Sequence, residues 1–141
     1  SRIAYVATER LMTESKLAKK ADERIEAEFS KRDKSINEQI ASVRALSEKF
    51  EREAAKLSEL DRTRRTRELI DMEKDVQRKQ HEFREDLMQR KNEERANIAQ
   101  KAFKIIEQIA QQDQLDVVLY EVGWHNPRID ITDKILKQLD K

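Results

Sequence analysis

The chain has 141 residues, 42% of them charged and 37% apolar, and its 30 basic and 29 acidic side chains leave a formal charge of +1. This near-balance gives no global pull toward nucleic acid or a membrane, so any such partner has to be recognised by local charge. Cysteine is absent, which excludes disulfides and thiol chemistry, and no apolar run approaches the roughly 18 residues of a membrane span. Strong helix formers combined with regular apolar spacing point to long helices and coiled coil, not to disorder.

The chain opens with RIAYVAT, Arg2 to Thr8, a β-rich alternation that predicts a short strand. Thr8, Thr13 and Ser15 are alternative N-caps for the helix that follows. From Glu9 to Gln112 there is then neither Gly nor Pro. A first long helix is expected from about residue 9 to residue 57. Its stripe runs through Ile25, Phe29, Ile36, Ile40, Val43, Phe50 and Leu57, with steps of three, four and seven keeping one face apolar. Nearly every other position is charged or polar, so the stripe is narrow. Such a helix has to pair with another helix, another subunit or something that it holds.

The segment 58–66, SELDRTRRT, interrupts the stripe and is the expected turn, with Asp61, Thr63 and Thr66 as capping side chains. A second helix is expected over 67–112, its seam carried by Leu69, Val76 and Phe83. The apolar pattern loosens at Arg90 and Asn97 and strengthens again from Ile98 to Ile109. The period then changes. LDVVLYEV, residues 115–122, reads as a second strand and GWHNP as a loop. Ile129 to Ile131 reads as a third strand, and Thr132 as the N-cap of a last helix.

These elements predict an α+β chain. Residues 1–8 and 113–141 form a small body with a short terminal helix, and residues 9–112 form a helical hairpin that protrudes from it. Ile3, Tyr5, Val117, Val118, Leu119, Tyr120, Trp124, Ile129 and Ile131 are the expected body residues. So few apolar side chains and open sheet edges call for an oligomer.

Catalysis has no support in the residues. The two histidines, His81 and His125, stand apart, and the single glycine, Gly123, rules out a phosphate-binding glycine loop. No cofactor is expected, and the chain reads as a non-enzyme. Arg62, Arg64, Arg65 and Arg67 set four cations against Asp61 at the expected turn. They suit anionic lipid headgroups, lipopolysaccharide or acidic segments of a client protein. Arg90 and Lys91 are a second basic pair with the same candidate ligands. Nucleic acid is not expected as a partner, because frequent Asp and Glu flank these arginines and no recognition motif accompanies them. A structural coiled-coil adaptor is the alternative reading, with a nucleic-acid binder behind it.

Several short segments, in order, resemble the Skp/OmpH family of periplasmic holdase chaperones: IAYV before a long helix, DRT at Asp61 to Thr63, EKDV at Glu73 to Val76, NEER at Asn92 to Arg95, LDVVLY at Leu115 to Tyr120, and DIT followed by ILKQL up to Leu139. The resemblance spans essentially the whole chain. It implies a homotrimer with an intersubunit β-barrel body, from which three helical hairpins hang as tentacles around unfolded outer-membrane β-barrel proteins. It implies action without ATP in the periplasm of a Gram-negative bacterium, and synthesis with a signal peptide that is removed. It also implies a lipopolysaccharide contact on the tentacle. Arg90 matches a basic position of that contact, while Leu87 and Gln89 stand where a relative has arginines.

Overall fold

The computed structural model describes residues 1–141 and is mostly helical. Strand β1 (Ile3–Tyr5) leads into α1 (Thr8–Glu14), and α2 follows from Lys16 to Glu53. A 3-10 turn at Ala54–Lys56 precedes α3 (Glu59–Gln112), then come β2 (Val117–Leu119), a 3-10 turn at Pro127–Ile129 and α4 (Thr132–Leu139). At 1.5 Å per residue α2 is about 57 Å long and α3 about 81 Å. Contacts divide the chain into two compact units, Ser1–Ile25 with Arg90–Lys141, and Glu26–Gln89.

No β-barrel forms, which corrects the expected fold class. The sheet has two strands of three residues each, paired in parallel with Ile3 opposite Val117 and Tyr5 opposite Leu119. Positive φ angles at Gln114 (55°) and Glu121 (38°) bend the chain on either side of β2, so the strand stops short of the expected 115–122 span. The third strand expected at Ile129–Ile131 is also corrected. Pro127 fixes its own φ, and the Asn126 side chain accepts a hydrogen bond from the Arg128 N–H at 2.9 Å, curling 127–129 into a 3-10 turn. One parallel bridge, Tyr5 to Asp130, is all that remains of it. That bridge covers the free side of β1, so the sheet stays open along the outer edge of β2.

Parallel partners in register share a face. Ala4 and Val118 therefore face inward, and Ile3, Tyr5, Val117 and Leu119 face outward. The inward face meets a core of Val6, Leu11, Ala102, Ile106, Ile109, Ile135 and Leu139, with Val118 and Ile131 packed against it.

The helix boundaries differ from expectation where side chains decide them. Ser15 is extended (ψ 152°) and buried, and its Oγ accepts from the Ala18 N–H at 3.1 Å, so the first long helix is broken there and capped anew. Thr8 caps nothing: Ala7 is the N-cap of α1 and makes no side-chain cap bond. Thr132 is likewise the first residue of α4, not its cap, since its hydroxyl is committed elsewhere. The turn between the long helices lies at 54–58 and meets the expected 58–66 only at Ser58. Leu57 is extended, and Ser58 Oγ accepts from the Asp61 N–H at 3.1 Å, which starts α3 at Glu59. Most of the Arg-rich segment is therefore helix.

Candidate functional site

Within the unit Glu26–Gln89 the two long helices run antiparallel, since Phe29 meets Phe83 and Glu53 meets Arg65. The Phe29 and Phe83 rings meet edge to face with centroids 5.5 Å apart. Arg32 lies 6.0 Å and 5.7 Å from the two centroids and pairs with Asp86 at 2.7 Å. This couples an aromatic contact to a cation–π contact and an ion pair at one level of the seam.

Phe29, Ile36 and Val76 are buried, whereas Ile40, Val43, Phe50, Leu57, Leu69 and Phe83 are half-buried. Ile25 is buried too, in the other unit. A two-helix seam cannot enclose its side chains as a core does, and the leakiness shows in detail. The Gln39 Oε1 is buried without a hydrogen-bond partner. A groove of about 410 Å³ opens where Ile40, Val43 and Val76 are rimmed by Arg44, Glu48 and Glu73.

The arm also carries large apolar side chains that face water outright: Leu46, Leu60 at 66% exposure, Ile70, and Met88 at 59%. Composition conceals them, because nearly all their neighbours are charged. Leu60 and Ile70 follow the turn and lie on the same stretch of α3 as the arginines.

The four arginines are not equivalent. Arg65 donates to Glu53 at 2.7 Å, and this bond holds the Glu53 carboxyl below its usual range. Arg62 is half-buried, with Nη1 3.5 Å from the Ala54 carbonyl. Arg64 and Arg67 are exposed and form no ion pair. Elsewhere, Arg90 directs its guanidinium to Glu93 and Glu94, both at 3.1 Å, and Glu94 also accepts from Arg24 at 3.2 Å. Burial pushes the Glu94 carboxyl up, but its bonds to Arg90 and Arg24 outweigh this and hold it low. Lys91 is exposed.

In the other unit the outward sheet face is a second unsatisfied surface. Ile3, Val117 and Tyr120 are exposed, and Trp124 is 79% exposed. Ile3 and Trp124, with Leu119, Ile129 and Ile131, border an open groove of about 730 Å³ that also includes Arg2, Arg128 and Asp113. His125 stacks on Tyr5 with ring centroids 3.7 Å apart, which fastens the Trp124 loop to β1. The sequence names Ile3, Tyr5, Val117, Leu119, Tyr120, Trp124, Ile129 and Ile131 as body residues; Arg2, Asp113, Arg128 and the stacking of His125 on Tyr5 have no signature in it. No group of three His, Cys, Asp or Glu side chains is placed to hold a metal ion, and no helix is long and apolar enough to cross a membrane.

One unit packs a small open sheet on helices, and the other is a pair of long, incompletely sealed antiparallel helices, which together define a class of mostly helical proteins with long helical hairpins. The chain belongs within it to the OmpH/Skp-like family of periplasmic chaperones, non-catalytic proteins of outer-membrane biogenesis: the family model for OmpH-like outer membrane proteins matches residues 2–139. It is 30% identical over 140 residues to an uncharacterised protein of Aquifex aeolicus (strain VF5), covering 98% of this chain and 85% of that protein. It is 23% identical over 141 residues to the chaperone protein Skp of Blochmanniella pennsylvanica (strain BPEN), with the same coverage of 98% and 85%. A solved structure described as an OmpH-like outer membrane chaperone from Caulobacter crescentus CB15 shares the fold, with a TM-score of 0.82 at 17% identity over 98% of this chain and 83% of that one.

Proposed function

We propose that the chain is an ATP-independent holdase that keeps unfolded outer-membrane β-barrel proteins from aggregating, and that it works as a homotrimer. The observation that carries this reading is the pairing of a mostly charged arm with isolated, water-facing apolar side chains, Leu46, Leu60, Ile70 and Met88. Each offers a small apolar contact, too weak alone to hold an extended chain. Lys and Arg side chains between them add attraction for acidic client segments. Several arms acting together raise the effective concentration of such contacts without selecting one client sequence. Weak, distributed contacts also explain release, since folding of the client into a membrane outcompetes them.

The surface for self-association is the outward sheet face with Ile3, Val117, Tyr120 and Trp124, continued by the unpaired outer edge of β2. An exposed edge beside aromatic side chains is unfavourable in water and becomes favourable when covered by a second copy. Val118 faces the core and takes no part in this surface.

The test is dilution of a urea-unfolded outer-membrane β-barrel protein into buffer with and without the chain. Light scattering follows aggregation, and native mass gives subunit and client stoichiometry. Suppression at about one trimer per client is expected. A chain that assembles but leaves aggregation unchanged is a structural coiled-coil adaptor, and a chain that stays monomeric removes the assembly part of the proposal.

A further inference from the structure

Cysteine is absent, so the thioethers of Met12, Met72 and Met88 hold the only sulfur atoms in the chain. Their surroundings differ. Met12 is half-buried in α1, next to the fully buried Leu11, and Met72 is half-buried on α3, one turn before the buried Val76. Met88 is 59% exposed. It follows Ile70 by about five turns of 3.6 residues, so the two lie on one line along α3. Lys74, Gln77, His81 and Arg84 fill that line between them and are exposed, so polar side chains lead up to an open thioether. The packing does not call for sulfur there, because the seam runs through Leu69, Val76 and Phe83 on another face of α3.

We propose that Met88 is a modification site, converted by hydroperoxides to methionine sulfoxide, and that this change removes one of the arm's client contacts. The functional half rests on the holdase reading above, in which Met88 is one of four water-facing apolar side chains. In the reaction a lone pair of the Met88 sulfur attacks one oxygen of hydrogen peroxide. The S–O bond forms as the O–O bond breaks, and the sulfur gives up two electrons. The departing hydroxide takes the proton of the transferred oxygen and leaves as water. A flexible apolar side chain thereby becomes a polar one. At Met72 or Met12 the same change puts a sulfoxide in the seam or beside the core and loosens the fold. At Met88 it leaves the packing untouched and alters only what the arm offers to a partner. Leu46, Leu60 and Ile70 offer the same kind of contact but have no atom that peroxide oxidises. Met88 alone therefore makes the grip of the arm depend on oxidant, in a compartment, the periplasm, that is itself oxidising.

The experiment is brief treatment of the full chain with dilute hydrogen peroxide, quenched with free methionine. Peptide mass mapping and the aggregation assay follow, with the unfolded outer-membrane β-barrel protein added only after the quench. Met88 is expected to oxidise at least about fivefold faster than Met12 or Met72. The oxidised chain is expected to be needed in about two- to fivefold greater amount for equal suppression, at an unchanged urea midpoint. Met88→Gln is expected to show the same loss without oxidant. Met12→Leu with Met72→Leu leaves Met88 as the one sulfur, and is expected to suppress like the wild type and to stay peroxide-sensitive. Met88→Leu is compared with itself before and after peroxide, and no change is expected. Methionine sulfoxide reductases of both epimer specificities, supplied with dithiothreitol, are expected to restore the oxidised wild type, which they would not do for damage at Trp124 or Tyr120. Circular dichroism checks that each variant folds. The proposal is overturned if Met12 or Met72 oxidises as fast as Met88, if Met88→Leu loses suppression on peroxide as the wild type does, or if Met88→Gln suppresses like the wild type. A wild type that suppresses nothing before treatment overturns the holdase reading and this proposal with it; the other failures overturn this proposal alone.

Discussion

Asp130 Oδ1 accepts two hydrogen bonds from Thr132, one from its backbone N–H at 2.8 Å and one from its hydroxyl at 2.5 Å. The same hydroxyl accepts the Ala7 N–H at 2.9 Å. One buried threonine therefore ties the end of β1 to the start of α4, and the carboxylate orients it.

This pair makes stability depend on acid. Burial pushes the Asp130 carboxyl up, but the two Thr132 bonds outweigh it and, with His125 and Arg10 nearby, hold it below its ordinary range. A carboxyl lowered by folding stabilises the native state above its unfolded value of about 4 and loses that contribution as pH falls through the lowered folded value. Asp130→Asn is therefore expected to flatten the loss of stability below about pH 4, measured as urea midpoints over pH. A mutant with an unchanged pH profile would contradict this.

Thr132→Val leaves the Ala7 N–H without its buried acceptor. A cost of about 1–3 kcal/mol is expected in urea unfolding, with faster amide exchange at Ala7 as the local sign.

Ile135 is 0% exposed and sits in the core between α4 and the helices it packs on. Its truncation to Ala is expected to cost about 2–5 kcal/mol. Leu46→Ala, on an exposed arm position, is expected to stay within about 0.5 kcal/mol of wild type. Equal losses would show that the arm surface is buried in solution.

Gln114 closes α3 in the left-handed region with φ 55°, and the Leu115 N–H reaches back to the Ala110 carbonyl at 2.8 Å. Glycine suits that position better than any side chain that has a Cβ. Gln114→Gly is expected to raise stability by about 0.5–1 kcal/mol in thermal or urea unfolding. Destabilisation would mean that the side chain has a role of its own.

The arm depends on its aromatic level. Phe29→Ala removes the edge-to-face contact with Phe83 and one of the two rings beside Arg32. Amide exchange near Phe83 is expected to quicken by an order of magnitude or more, while exchange at Ile135, in the other unit, stays unchanged.

What the sequence by itself determined is whatever is periodic or compositional. The spacing Phe29, Ile36, Val43 against Leu69, Val76, Phe83 dictates two long amphipathic helices, because only a helix brings residues seven apart to one face. The family motifs are likewise legible, as each is a short run of residues in a fixed order. Tertiary structure alone decided the rest. Whether Ile129 to Ile131 becomes a strand depends on Pro127, on the Asn126 side chain and on Tyr5, which is 124 positions earlier than Ile129 in the chain. Ser15 becomes a helix break because its hydroxyl and the Asp140 carboxylate, which accepts the Lys16 N–H at 2.8 Å, supply partners for the freed backbone groups. Arg65 differs from Arg64 and Arg67 only because Glu53 faces it from the other helix. Capping, pairing and exposure are relations between residues distant in sequence, and no local pattern encodes them.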